Sequence, residues 1–165
     1  MAETPASAVN IREAGPLDVI SIVQIYVESS NVGFEGRQPW KEVDAARIER
    51  WRYDLSDATP TRWWVAEIEG RIVGLVGIGP CRDPVEAGLG ELDTIAVSPS
   101  NWHKGVGKKL MIRAIEGLRG AGFPRACLWT LNDYPLGERF YVATGWQRSS
   151  VTRYNGEQIR YDRLL

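Results

Sequence analysis

Glu91-Leu92-Asp93-Thr94-Ile95-Ala96-Val97-Ser98-Pro99-Ser100-Asn101-Trp102-His103-Lys104-Gly105-Val106-Gly107-Lys108-Lys109-Leu110 is the stretch on which the fold turns. Residues 91–97 read as a strand, 98–101 as a turn, and 102–109 as a basic loop bearing two glycines. Leu110, Met111, Ala114, Ile115 and Leu118 then recur at helical spacing. Strand, loop and helix in that order build an anion site. The first N–H groups of a helix lack intrahelical partners, the dipole favours negative charge there, and glycine lets the backbone approach closely. Two better-known phosphate loops are excluded. A P-loop needs a glycine where Trp102 stands and Ser or Thr where Lys109 stands. A dinucleotide fingerprint needs a third glycine where Leu110 stands. On pattern alone the loop is either a phosphate site or a plain tight turn.

Outward from this stretch, the elements follow one another as β-α-α-β-β-β-α-β-α-β-β. A short strand at 9–13 precedes a helix with Val19, Ile22, Val23, Tyr26 and Val27 on its apolar face. Residues 32–40 form a loop with exposed aromatics, and 41–55 a charged helix. Strands at 63–68 and 72–78 flank a glycine-bearing hairpin turn, and 81–90 reads as a loop. After the central helix, 125–131 is a buried strand parallel to the one at 91–97, because a helix separates them. Pro135 opens a last helix, and Asn155-Gly156 turns a final hairpin of strands 146–152 and 158–164. The fold class is α/β (α+β) with a mixed sheet of six to seven strands. Alternation along 91–97 puts Glu91, Asp93, Ile95 and Val97 on one face.

At 165 residues the chain fits one domain spanning 1–165, with residues 1–8 frayed. A net charge of −1 gives no global field for nucleic acid. No apolar run reaches membrane length and the first ten residues lack a signal-peptide core, so a cytoplasmic location is expected, with no membrane partner. Cys81 and Cys127 fall in apolar runs and read as buried free thiols; with a single histidine they argue against structural zinc, and no metal is expected.

The central stretch, together with Leu128-Trp129-Thr130-Leu131, Arg139-Phe140-Tyr141, Gly145-Trp146 and the close Ile159-Arg160-Tyr161-Asp162-Arg163-Leu164-Leu165, resembles the GNAT acetyltransferases of the bacterial small-molecule type. The element order matches that family over nearly the whole chain. The resemblance implies a GNAT fold whose central parallel strands splay apart. It implies acetyl-CoA as cosubstrate, its pyrophosphate on Trp102, His103, Lys104, Gly105, Val106, Gly107 and Lys108, and its pantetheine arm on the backbone of Ile95, Ala96 and Val97. The family has Arg or Gln where Trp102 stands, Asn where Tyr134 stands and Ala where Gly137 stands. Asn132, two residues before the usual asparagine, is the candidate for its cofactor contact; Gly137 inside a helix points to a close approach.

Acetyl transfer to an amine needs a proton acceptor, an oxyanion donor and a proton donor for the thiolate. By resemblance Glu91 is the acceptor, Asp93 the second candidate, and Tyr141 the donor. Phe34, Trp40, Glu28 and Trp129 are candidates for an aromatic, acidic acceptor pocket suited to a small organic amine. The expected activity is direct attack of such an amine: an amino sugar, an aminoglycoside-type antibiotic (hence antibiotic resistance) or an amino-acid analogue. The alternatives are protein N-acetylation, a non-catalytic acyl-CoA sensor, or an interaction domain that binds nothing at the loop. The resemblance also brings a homodimer into view as a common form.

Overall fold

The computed structural model describes residues 8–165, so the expected frayed start falls, apart from Ala8, outside the described residues. The elements are β1 (Asn10–Glu13), α1 (Val19–Gly33), α2 (Ala45–Asp54), β2 (Arg62–Ile68), β3 (Arg71–Arg82), β4 (Val85–Val97), α3 (Val106–Gly120), β5 (Arg125–Leu131), α4 (Pro135–Ala143), β6 (Gln147–Arg153) and β7 (Gln158–Leu164). This is the order read from the sequence. The seven strands form one mixed sheet in the order β1-β2-β3-β4-β5-β7-β6, antiparallel except between β4 and β5.

Each face of the sheet has its own core. On one, Leu110, Met111, Ala114, Ile115 and Leu118 of α3 pack on Trp64, Val76, Ile78 and Leu128. On the other, Ile22, Val23 and Val27 of α1 and Trp51 of α2 pack on Trp63, Val65 and Leu75. Full burial of such a side chain contributes about 1.5–3 kcal/mol, which is why the 3.6-residue apolar spacing of α3 placed that helix correctly. α2 begins four residues after the expected start at 41, where the Asp44 side chain accepts the Arg47 N–H at 2.8 Å and caps it.

Two readings need correction. Residues 81–90 are not a loop: β3 runs to Arg82, β4 starts at Val85, and Arg82 pairs with Val85 across a tight connection. Gly88, at φ +73°, and Pro80 masked the strand pattern. Nor do Glu91, Asp93, Ile95 and Val97 share a face. Gly77 pairs with Thr94 but Ile78 with Leu92, so Asp93 is an extra residue in β4, a β-bulge. Leu92, Ile95 and Val97 therefore all pack on the α3 core, whereas Ala96 packs on the α1 side. One inserted residue reverses the alternation beyond it.

Candidate functional site

β4 and β5 pair only through Leu89, Gly90 and Glu91 with Arg125, Ala126 and Cys127. Beyond Glu91 the two strands have no mutual pairs, and β5 continues on β7 alone. A cavity of about 690 Å³ opens there, lined by residues 92–97 of β4 and 128–131 of β5. Such a split leaves main-chain N–H and C=O groups of two strands facing a ligand rather than each other, and buried backbone groups require partners. The cavity also reaches Trp102, His103, Gly105, Gly107 and Lys108, so the strand gap and the glycine loop belong to one site.

At the loop, His103 and Gly105 take left-handed backbone conformations (φ 60° and 84°). Gly105 is the residue before α3, and its carbonyl accepts the first main-chain helix bond, from Lys109 at 3.1 Å. The N–H groups of Val106, Gly107 and Lys108 precede that bond and have no carbonyl one turn back within the helix. The side chain of Val106 is 1 % exposed and belongs to the core, so only its main chain can serve an anion. A side chain on Gly107 would lie 3.3 Å from the Phe140 ring. Lys108 lines the cavity, whereas Lys104 does not; its Nζ donates to the Ser100 carbonyl at 2.7 Å. Trp102 finds a different use from the Arg or Gln of the family pattern: its Nε1 donates to the Val97 carbonyl at 2.6 Å, satisfying the end of the splayed strand. The loop's anion cradle and the open strand backbone fit a long ligand with a phosphate end and an amide-bearing arm.

The three expected proton-transfer residues are not equivalent. Asp93, at the bulge, lines the cavity; its carboxylate pairs with the Arg82 guanidinium and accepts the Thr94 hydroxyl at 3.0 Å. Glu91 is 8 % exposed and is not among the residues that line the cavity; its carboxylate accepts the Arg82 N–H at 3.2 Å and has Cys81 and Cys127 Sγ within 4.8 Å. Burial pushes the Glu91 carboxyl above its usual range, against the Arg82 N–H, and the neighbouring Asp93 charge adds to the rise. Tyr141 lines the cavity from α4, its ring 5.5 Å from that of Tyr161. Burial drives its hydroxyl well above the ordinary tyrosine range, with Thr130 acting the other way by a hydrogen bond, so it carries its proton. The two cysteines are buried free thiols, as expected.

Of the expected acceptor residues, Phe34 and Trp129 line the cavity; Trp40 is 74 % exposed, Glu28 is exposed on α1, and neither lines it. Trp51, Trp63, Trp64 and Trp146 are core. Asn132 is drawn to the last hairpin: Nδ2 donates to the Gly156 carbonyl at 3.0 Å and Oδ1 accepts from Arg148, and the residue does not line the cavity. Several residues were not anticipated. Tyr134 closes the cavity against Phe34, ring centroids 4.8 Å apart, and Ser30, Thr130 and Gln158 line it. Arg82 joins Glu91 and Asp93 through its main chain and side chain respectively. No spacing signal marks these, because they come from five separate elements.

The sequence profile of the acetyltransferase (GNAT) family matches residues 19–146, from the start of α1 to the residue before β6. Phosphinothricin N-acetyltransferase of Streptomyces viridochromogenes is 32% identical over 155 residues, covering 90% of this chain and 79% of that protein. N-acetyltransferase 8F1 of Rattus norvegicus is 28% identical over 139 residues, covering 79% of this chain and 61% of that protein. The chain thus spans about three fifths of the length of the rat relative. Among solved structures, the PaiA N-acetyltransferase of Thermoplasma acidophilum in complex with coenzyme A superposes with a TM-score of 0.74 at 17% identity, over 96% of this chain and 99% of that one. A GCN5-related N-acetyltransferase from Kribbella flavida gives 0.77 at 17% identity, over 96% and 98%. The seven-stranded sheet split between β4 and β5, the loop at the head of α3 and the profile match together establish that this chain belongs to the GNAT family of N-acetyltransferases.

Proposed function

We propose that the chain transfers an acetyl group from acetyl-CoA to a primary amine of a small molecule by direct attack in a ternary complex. The observation that carries the reading is the split of β4 from β5 after Glu91, which opens into a cavity continuous with the glycine loop of α3. Acetyl-CoA, when bound, supplies an acetyl group activated as a thioester. The N–H groups of residues 105–108 would hold its phosphates, with Lys108 adding charge, and the open edge of residues 95–97 would hold its arm.

The residues of the chain then divide the work. Asp93 faces the cavity and attracts the acceptor ammonium. Glu91, whose carboxyl is raised by burial and by the neighbouring Asp93 charge, takes the amine proton through a bridging water. Tyr141, held protonated, gives its proton to the departing thiolate. A small acceptor is favoured by how this side of the cavity is built: Phe34 and Tyr134, which both line it, pack ring against ring, and Arg37 Nε donates to the Asp133 carbonyl at 2.7 Å, tying the segment after α1 to the turn before α4. The relative that acts on phosphinothricin, by its name, is also a small-molecule enzyme.

Thermal denaturation with and without acetyl-CoA, followed by thiol release over a panel of amines, tests this reading. A rise in Tm with acetyl-CoA and amine-dependent thiol release are expected. Stabilisation with no thiol release from any amine would instead point to a non-catalytic binding module; no stabilisation would remove the cofactor assignment.

A further inference from the structure

We propose that Arg82 is the positioning residue of the acceptor end: its main chain orients Glu91, its side chain holds Asp93, and its charge keeps the Asp93 charge from acting in full on Glu91. The inference deepens the acetyltransferase reading above and takes from it only the role of Glu91 as base. Arg82 ends β3 and is not among the residues that line the cavity, so it reaches the reaction only through the two carboxylates. The β3–β4 register shifts between Pro80 and Arg82, and there the Arg82 N–H donates to Glu91 Oε2 at 3.2 Å. The guanidinium pairs with Asp93 Oδ2, while Asp93 Oδ1 accepts the Thr94 hydroxyl at 3.0 Å. Asp93 belongs to the other register shift of the same strand pair, between Gly77 and Ile78. A regular ladder spends its N–H groups on partner strands; bulges interrupt that pairing and re-aim side chains. Two irregularities in one strand pair thus bring one residue to both carboxylates.

The Arg82 side chain is half-exposed, and a pair this open to water adds little to stability. Its effect falls instead on the buried carboxyl beside it. The groups that face Glu91 come from four strands and the last hairpin: Cys81 and Arg82 of β3, Asp93 of β4 itself, Cys127 of β5, Arg153 of β6, and Tyr154. Asp54, at the end of α2, faces the Arg82–Asp93 pair. Burial pushes both thiols up, so they stay neutral, and the Tyr154 hydroxyl keeps its proton as a donor to Asp83 Oδ2 at 2.5 Å. Burial also pushes the Glu91 carboxyl up. The Arg82 N–H works against that rise, the Asp93 charge adds to it, and the charges of Arg82 and Arg153 oppose it. Arg153 is fixed by Gln158 Oε1 at 2.7 Å and the Asp83 carbonyl at 2.5 Å. Without the Arg82 guanidinium, Arg153 alone among the described residues would oppose Asp93. Glu91 would then keep its proton to higher pH, whereas a base must be free of it.

The test follows the Glu91 side-chain carboxyl by carbon-13 NMR as the whole chain is titrated, with its signal assigned by Glu91→Gln; no acceptor or cofactor is needed. Arg82→Gln is expected to move the titration midpoint up by about 0.5 pH unit or more, and Asp93→Asn to move it down by a similar amount. The double variant should return to within about 0.3 pH unit of the unaltered chain, since the two charges act in opposite directions. Arg82→Lys, which keeps the charge, should lie nearer the unaltered chain than Arg82→Gln does. A merely structural role would not give opposite shifts that cancel. Amide spectra like that of the unaltered chain show that the variants fold, and Arg82→Met takes the place of Arg82→Gln if that variant does not. An unchanged or lowered midpoint on loss of the guanidinium, or no recovery with lysine, would overturn the inference. Because no turnover enters the measurement, a chain that transfers no acetyl group would count against Glu91 as base and not against its coupling to Arg82.

Discussion

A side chain placed on Gly137 would put its Cβ 2.2 Å from Tyr134 Cδ1. These are two of the positions where the chain departs from the family pattern of Asn and Ala, and the contact explains why they depart together: the Tyr134 ring fills the space an alanine methyl would take. Gly137→Ala is expected to cost about 1–3 kcal/mol by forcing the ring aside. Adding Tyr134→Asn should restore most of that loss, and a double-mutant cycle by thermal denaturation measures the coupling. The sequence pointed to a close approach at Gly137 but not to its partner, since which ring swings over the helix start is a matter of side-chain rotamer. Glu91 carries two further expectations. Glu91→Gln should lower kcat by about 10²-fold, whereas Asp93→Asn should act mainly by raising KM; steady-state kinetics separate the two. Burial raises the folded-state pKa of Glu91 above its unfolded value, so its contribution to stability is fully present below the ordinary glutamate range and is lost as pH rises through the folded value. Glu91→Gln removes that loss. Its Tm relative to the unaltered chain should therefore improve between pH 4 and pH 8, and an unchanged difference would show the carboxyl to be unperturbed.

At the scale of elements, β4 sets the chemistry by being irregular twice. The bulge at Asp93 turns Ile95 and Val97 onto the α3 core, and the break with β5 after Glu91 frees the strand edge. The parallel β4-α3-β5 unit and the glycine loop were legible because apolar periodicity and helix-start chemistry are local. The bulge was not, since it is a property of the pairing with β3, where Gly77 and Ile78 face Thr94 and Leu92. The same limit hid the extension of β3 and β4 around Asp83 and Pro84. The start of α3 makes its own prediction. Gly105 has φ +84° with open space around it, so Gly105→Ala meets strain rather than collision. A loss of about 1 kcal/mol is expected, together with at least a fivefold weaker acetyl-CoA affinity as the cradle shifts. Thermal denaturation and calorimetry read the two effects separately.

In the whole molecule the cleft lies where the cores on the two faces of the sheet meet, lined by Leu92 and Leu128 of one and Ala96 of the other. Ligand binding across such a cleft should stabilise the native state. At 100 times Kd the gain is about 2.7 kcal/mol, or a rise in Tm of roughly 5–10 °C for a chain of this size. The overall topology could be read from the chain because it follows from element order and the rules for crossovers. The acceptor end could be read only in part: Phe34, Asp93 and Trp129 were expected there, whereas Ser30 and Tyr134 join them only when α1, β4, β5 and the start of α4 are assembled. The central claim is that the loop and the split strands form one site for one ligand. Calorimetric titration with acetyl-CoA, with adenosine 3′,5′-bisphosphate and with pantetheine tests it most directly. The account predicts one acetyl-CoA per chain and at least 100-fold weaker binding of either fragment. Fragment binding as tight as that of acetyl-CoA, or no binding of acetyl-CoA at all, would contradict it.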